Sequence, residues 1–407
     1  MRQSVIVALM LLSLTAQAQQ KEPAVVVWFD GKAPISYSVP KNVEPVVEIA
    51  LLLRLRANAI WPAMHEGTTA FFKTPGAKAM ADSCGIVIGT SHCEPLLRNN
   101  VDEWDAKEQL RSGGGGVYYH LSYWGRPHDY LWLTTTQPGL IYNEMRQAYD
   151  PHVRQLWIAT VPDPTVAGYD LELFLDMAWN IDCVNGETIN DHYKAWLCRQ
   201  FGKEAGRRLF PAMHEFYRLC GIRKPEFMGW TQVELDKKQF PRGLSQVSEV
   251  PLSPQEATTR LADFERIKAT VMESSAYIRP ALKDAFFAAI EYPVSATAAM
   301  NRKILCDSAE SHRAYSEIQS LTKQYNEMRG GKWHGLMDAA PRRLPVFEDV
   351  HARLTGQAAN IIMTLNACNY EKTSAGSHTI QMLGRSMNAV ALQKVSTPSL
   401  SAPSTTT

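Results

Sequence analysis

Between Gly116 and Leu133 the chain reads Gly-Val-Tyr-Tyr-His-Leu-Ser-Tyr-Trp-Gly-Arg-Pro-His-Asp-Tyr-Leu-Trp-Leu, placing four tyrosines, two tryptophans, two histidines, an arginine and an aspartate in one stretch. Aromatic faces cover the apolar side of a sugar ring, while His, Tyr and Arg side chains hydrogen-bond its oxygens and an anionic substituent. The mixture therefore suits a flat, hydroxyl-rich, anionic ligand. The competing reading is a buried strand pair packed by its aromatic rings.

The elements that must position these residues alternate between apolar strands and helices. Asn58–Pro62, Gly85–Gly89, Val117–Tyr123 and Arg154–Val161 read as strands, with helices after Thr74 and over Gly139–Tyr149. Continuous apolar strands separated by helices predict a parallel α/β sheet, most simply a barrel, whose ligands bind at the carboxyl ends of the strands. Chemistry-bearing residues recur at those ends: Trp61, His65 and Glu66; Ser91, His92 and Glu94; His120, Tyr123 and Trp124; Thr160 and Asp163. One shared pocket accounts for that recurrence better than four coincidences. Glycoside hydrolysis needs a carboxylic acid and a carboxylate flanking the bond. Glu66, Glu94, Asp129 and Asp163 are the candidates, and their spacing does not choose a pair.

Other chemistries are disfavoured. Gly113–Gly116 lacks the following Gly-Lys-Ser/Thr of a phosphate loop and leads into a strand, and no Gly-x-Ser-x-Gly elbow is present. The seven cysteines, an odd number at irregular spacing, read as buried free thiols rather than a disulfide framework, and no second His/Cys pair completes a metal site around Cys84, His92 and Cys93. A net charge of +1 gives no reason to expect nucleic acid or an acidic membrane surface as partner.

Along the chain, Arg2, the apolar run Val5–Leu14 and Ala16-Gln17-Ala18 predict an export leader over residues 1–18, too short to span a bilayer, and so a periplasmic or extracellular bacterial protein. Residues 19–43 hold one apolar run, Ala24–Phe29, expected to be the remnant of an N-terminal domain. The α/β catalytic unit follows at 44–186 and a helical bundle at 187–343. In the bundle, Ser253-Pro254-Gln255-Glu256 is a capping-box start for a helix whose face carries Leu261, Phe264, Ile267 and Val271, and one long last helix runs from Met300 to Gly330. Strands at Asn360–Leu365 and Thr379–Leu383 suggest a partial β-sandwich over 344–395, and 396–407 a disordered Ser/Thr/Pro-rich tail.

At these same positions the chain resembles glycoside hydrolase family 115, the xylan α-1,2-glucuronidases. The matching stretches are Arg56–His65, Ala81–Leu96, Tyr118–Gly125, Tyr169–Asn180 and Pro341–Phe347, within about Glu44 to Lys394. The resemblance implies a TIM-type (β/α) barrel, a helical bundle and a C-terminal β-sandwich. It implies inverting removal of glucuronic acid or its 4-O-methyl form from glucuronoxylan or its oligosaccharides, with no metal or other cofactor. Matched residue by residue, Trp61, His120 and Tyr123 line the substrate pocket, and Thr160 stands where the family has a pocket asparagine.

The chain departs from the family pattern in four places. The strand that opens the barrel has no counterpart before Glu44. A long insert that carries the family's catalytic carboxylates is missing between Glu108 and Gly113, the stretch Glu44–Gly168 is about half of an ordinary barrel's 250 residues, and the sandwich is cut short. These departures predict an incomplete barrel, association into a homo-oligomer through unpaired strand edges, and impaired turnover. The alternative is an inactive carbohydrate-binding remnant.

Overall fold

A computed structural model of the chain describes residues 24–29, 54–61, 77–88, 116–123, 129–150, 154, 156–161, 163–228, 249–332, 334–341, 344–354, 356 and 377–392. The leader at 1–18, the strand at 360–365 and the tail at 396–407 lie outside them.

Among the described residues five strands form one wholly parallel sheet: β1 (Ala24–Phe29), β2 (Ala59–Trp61), β3 (Val87–Ile88), β4 (Gly116–His120) and β5 (Leu156–Val161), in the spatial order β3-β2-β1-β5-β4. Ala24–Phe29 corrects the sequence reading. It pairs with β2 on one side and β5 on the other, so it is the central strand of the sheet rather than a leftover of another domain. Six apolar residues carry no periodic signal of their own, and their partners lie more than thirty and more than 130 positions away.

The winding is uniform. The steps β1 to β2 to β3 and the step β4 to β5 advance across the sheet in the same direction. Right-handed crossovers then put the connecting helices on one face. Side chains agree: Trp157, Ala159 and Val161 of β5 join the main core with helices α2 (Pro138–Tyr149) and α3 (Gly168–Trp179) and with Cys84, at the end of α1 (Ala77–Cys84). Ile158, pointing the other way, forms a separate small cluster with Ala59.

Helices α4 (Ile189–Phe201) and α5 (Lys203–Ile222) turn at Gly202, whose φ of 98° suits glycine, and Gly206 lets them close up, since a Cβ there would lie 2.5 Å from the Cys198 nitrogen. Helix α6 (Pro254–Ser274) starts on the expected capping box: Ser253 Oγ accepts from the Glu256 N–H at 3.2 Å and the Glu256 carboxylate accepts from the Ser253 N–H at 2.8 Å. Its buried face carries Phe264, Ile267 and Val271 as predicted, with Arg260 and Ala257, while Leu261 is only half-buried. The predicted single last helix is two, α7 (Tyr292–Leu305) and α8 (Ser308–Gly331). Asp307 causes the break by accepting from the Glu310 N–H at 3.0 Å, which starts a new helix.

The bundle returns to the α/β unit through Asp163 and the C-terminal hairpin. The hairpin pairs β8 (Ser377–Gln381) with β9 (Asn388–Leu392), while β6 (Glu249–Val250) and β7 (Arg353–Leu354) form a separate short parallel pair. Gln137 clips it, its Nε2 donating to the Gly384 carbonyl at 3.1 Å and its Oε1 accepting from the Gly384 N–H at 2.8 Å. Among the described residues no helix is long and apolar enough to cross a membrane.

The buried carboxyl of Asp170, in the first turn of α3, accepts from the Tyr217 hydroxyl at 3.1 Å, and burial pushes its pKa up to about 8. The unfolded chain loses this proton near pH 4 and the folded chain keeps it to about pH 8, so this group's stabilisation declines as pH rises through that window. Thermal midpoints should therefore fall from pH 5 to pH 8, and Asp170→Asn should flatten that slope. An unchanged slope in the variant would remove Asp170 as its source.

Candidate functional site

His120 ends β4 and is paired in register with Thr160 of β5; the same row crosses β1 at Trp28 and β2 at Trp61. Three of the four sequence-predicted site residues thus share one transverse row near the carboxyl ends of four parallel strands. Trp28 was not anticipated, because its strand was not assigned to the sheet.

The imidazole of His120 is oriented from behind. Its Nδ1 lies 3.0 Å from Thr160 Oγ1 and 3.2 Å from the Ser122 carbonyl, while the Thr160 hydroxyl donates to that carbonyl at 2.6 Å. The Thr160 proton is committed to Ser122, so both oxygens near Nδ1 are acceptors and Nδ1 carries the proton. The neutral ring then has its lone pair on Nε2. Thr160 is buried, at 1% exposure, and its carbonyl accepts from the Leu121 and Ser122 N–H groups at 3.1 and 3.2 Å. Its place in the site is therefore behind His120 rather than at a pocket wall.

Removing that hydroxyl is expected to show directly. Thr160→Val should keep the fold at a cost of about 1–2 kcal/mol, because Nδ1–H retains only the longer bond to Ser122. Nitrogen-15 NMR of the imidazole should then show a mixed tautomer where the wild type shows Nδ1–H alone. Identical spectra would mean that Thr160 does not set the tautomer.

Around the imidazole the aromatic stretch splits in two. Tyr118 and Tyr123 meet the His120 ring edge-on at centroid distances of 4.8 and 5.0 Å, and Tyr130 follows at 5.8 Å from Tyr123, with its hydroxyl 3.4 Å from the His120 carbonyl. The Tyr123 and Tyr130 backbones are bridged by N–H to carbonyl bonds of 3.1 and 3.0 Å. Tyr119 and Trp132 are core instead: Tyr119 stacks on Phe174, and the fully buried Trp132 donates through Nε1 to the Tyr292 hydroxyl at 3.1 Å. The buried-aromatic reading of this stretch thus holds for Tyr119 and Trp132, while Tyr118, Tyr123 and Tyr130 gather around the imidazole.

Of the four candidate carboxylates, Glu66 and Glu94 lie outside the described residues, as do His65, Ser91, His92 and Trp124. Asp129 is buried at 2% exposure. Asp163 is fully buried, accepting from the Tyr325 hydroxyl at 2.8 Å and the Thr165 N–H at 2.8 Å, and so ties the end of β5 to α8. Sequence reasoning missed Glu226, at 1% exposure, which reaches the same segment from beyond α5: its Oε1 accepts from the Trp132 and Leu133 N–H groups, both at 3.2 Å. Nothing in the local text around Glu226 signals this. Among the described residues no cluster of three His, Cys, Asp or Glu side chains could hold a metal ion. Of the cysteines there, Cys84 and Cys220 are buried free thiols as expected, whereas Cys183 is exposed.

The sequence profile of glycosyl hydrolase family 115 matches residues 20–109 and 105–227, just over half of the chain. The chain belongs to glycoside hydrolase family 115. As a family 115 member it is a glycosidase, and the match takes in β1, all four site residues and Glu226. Among solved structures the family 115 chain is similar to a 4-O-methyl-α-glucuronidase with specificity for decorated arabinogalactans, at 28% identity and a TM-score of 0.79, over 92% of this chain and 68% of that one. The comparison with curated proteins gives no match.

Proposed function

We propose that the protein is an α-glucuronidase that removes glucuronic acid, or its 4-O-methyl form, from side chains of glucuronoxylan or a similarly decorated polysaccharide, with inversion. The observation that carries this is the His120–Thr160–Ser122 unit, with Tyr118 and Tyr123 against the imidazole, at the carboxyl end of a parallel sheet in a family 115 chain. His120 presents Nε2 to the uronic acid, Tyr123 and Trp61 border it, and Thr160 holds His120. The structural neighbour acts on decorated arabinogalactans, so the carrier polysaccharide is the open choice between the two.

The sheet is part of a (β/α) barrel in this reading. Uniform winding, with β5 lying beside β1, supports a closed circuit that among the described residues stays open between β3 and β4. The two-block profile match, meeting at 105–109, points to the same place. Loss of that segment lowers turnover, and the hairpin 377–392 is the start of a sandwich. The leader-like text at 1–18 supports export, and sheet edges without a partner strand among the described residues favour a homo-oligomer.

The test is incubation with aldouronic oligosaccharides from glucuronoxylan and with decorated arabinogalactan fragments, followed by proton NMR. Release of uronic acid, first as the β anomer, is the expected result. Binding without release would establish the second reading, an inactive carbohydrate-binding protein, which the burial of Asp129 and Asp163 favours. Neither binding nor release would overturn both.

A further inference from the structure

A buried carboxylate whose hydrogen bonds among the described residues run to backbone N–H groups needs a reason to be there. Glu226 spends one oxygen on two consecutive backbone N–H groups, Trp132 and Leu133, and its other oxygen has no partner among the described residues. Burial pushes its carboxyl pKa up, against Lys224 and those N–H groups. An apolar side chain would fill the space at lower desolvation cost. What a carboxylate adds is direction: two adjacent N–H groups converging on one oxygen fix the orientation of both peptide planes.

The segment fixed this way begins two residues after Tyr130, at Trp132, and Tyr130 is gripped by the same short turn. Phe227 meets its ring edge-on at 6.3 Å, and Lys224 Nζ sits 4.7 Å from the ring centroid while donating to Thr135 Oγ1 at 2.9 Å. Tyr130 in turn is bridged to Tyr123, and Tyr123 packs on His120. The chain of contacts runs from the end of α5 to the imidazole without a gap.

We infer that Glu226 is a positioning residue for the uronic-acid site: its carboxylate fixes the backbone at Trp132 and Leu133, which sets Tyr130 against Tyr123 and so holds Tyr123 on His120. This inference rests on the α-glucuronidase reading for its ligand, and on geometry alone for the clamp. Lys224 completes the grip by covering Tyr130. The residue touches the site only through the segment it holds, so its effect falls on the alignment of Tyr123 and His120 with the sugar.

The experiment compares Glu226→Gln, Glu226→Ala and Val271→Ala, the last a buried bundle position chosen to lower stability without touching the segment. Calorimetric affinity for an aldouronic oligosaccharide, kcat and KM, thermal midpoints and amide exchange at Trp132 and Leu133 are measured on the full chain. Glu226→Ala is expected to weaken binding about 10-fold and to speed exchange of both amides, because small misplacements at a binding site carry large penalties. Glu226→Gln keeps one acceptor oxygen and should recover part of both effects. Val271→Ala should lower the midpoint and leave affinity unchanged. Wild-type affinity in Glu226→Ala, or an equal loss in Val271→Ala, would overturn the inference. If the wild-type chain neither binds nor hydrolyses the oligosaccharide, the functional reading fails separately. Exchange then decides the clamp: unchanged protection of Trp132 and Leu133 in Glu226→Ala refutes it.

Discussion

Replacing His120 with alanine is expected to reduce uronic-acid release by about 10- to 100-fold, because leaving a bound sugar hydroxyl without its acceptor costs about 1–3 kcal/mol. The side chain is held at Nδ1 by Thr160 and Ser122 and edge-on by Tyr118 and Tyr123. Little rotamer freedom is left to lose when substrate arrives, so most of the interaction through Nε2 reaches the bound state. His120→Asn separates the two ends of the ring. Its amide can replace Nδ1–H toward Thr160 and Ser122 while supplying nothing at the Nε2 position. Release should therefore fall in both variants, while the thermal midpoint falls mainly in the alanine variant. Both are read by the NMR release assay and a melting curve. An asparagine variant with wild-type kcat/KM would show that Nε2 does not face the substrate.

How far such a site can be read from text depends on the distance over which its parts are encoded. The Ser253–Glu256 capping box and the buried stripe Phe264, Ile267 and Val271 are local patterns, and they fold as written. The shared row of Trp61, His120 and Thr160 was legible because the strands of a parallel sheet bring their carboxyl ends together. Other features escaped for equally physical reasons. The position of β1 is decided by pairing with strands far along the chain, and the break at Asp307 by one carboxylate competing successfully for the Glu310 N–H. Glu226 looks like any glutamate at a helix exit until its partners, Trp132 and Leu133, arrive from more than ninety residues upstream. Asp163 failed in the opposite sense: strand-end position marked it as a chemistry candidate, and the Tyr325 hydroxyl and the Thr165 N–H claim both its oxygens.

The second large effect belongs to Arg260, whose removal is expected to destabilise the chain by about 3 kcal/mol and to lower the thermal midpoint by roughly 3–5 °C. The guanidinium is 5% exposed and joins three helices: Nε donates to Asn301 Oδ1 at 2.6 Å, Nη1 to the Leu219 carbonyl at 3.1 Å and Nη2 to the Arg223 carbonyl at 2.8 Å. Leu219 and Arg223 sit at the end of α5, where the Leu219 carbonyl also accepts from the Arg223 N–H at 3.1 Å, and a buried cation there meets the favourable end of the helix dipole. Burial works against it, pulling the Arg260 pKa down to about 10, yet the group stays charged at neutral pH. Arg260→Ala takes its donor from the Asn301 and Arg223 oxygens at up to about 1–3 kcal/mol each, while the Leu219 carbonyl keeps the Arg223 N–H, and relief of the buried charge offsets part of that sum. Arg260→Lys keeps the charge without the fork and should recover only part of the loss, since one ammonium cannot span three acceptors spread over the end of α5 and the body of α7. The turn that carries Lys224 and Glu226 leaves directly from the carbonyl Arg260 holds, so the alanine variant should also speed amide exchange at Trp132 and Leu133 below its melting transition. A midpoint within one degree of wild type would show that the helix end does not depend on this cation; a lowered midpoint with unchanged exchange would confine its effect to the bundle.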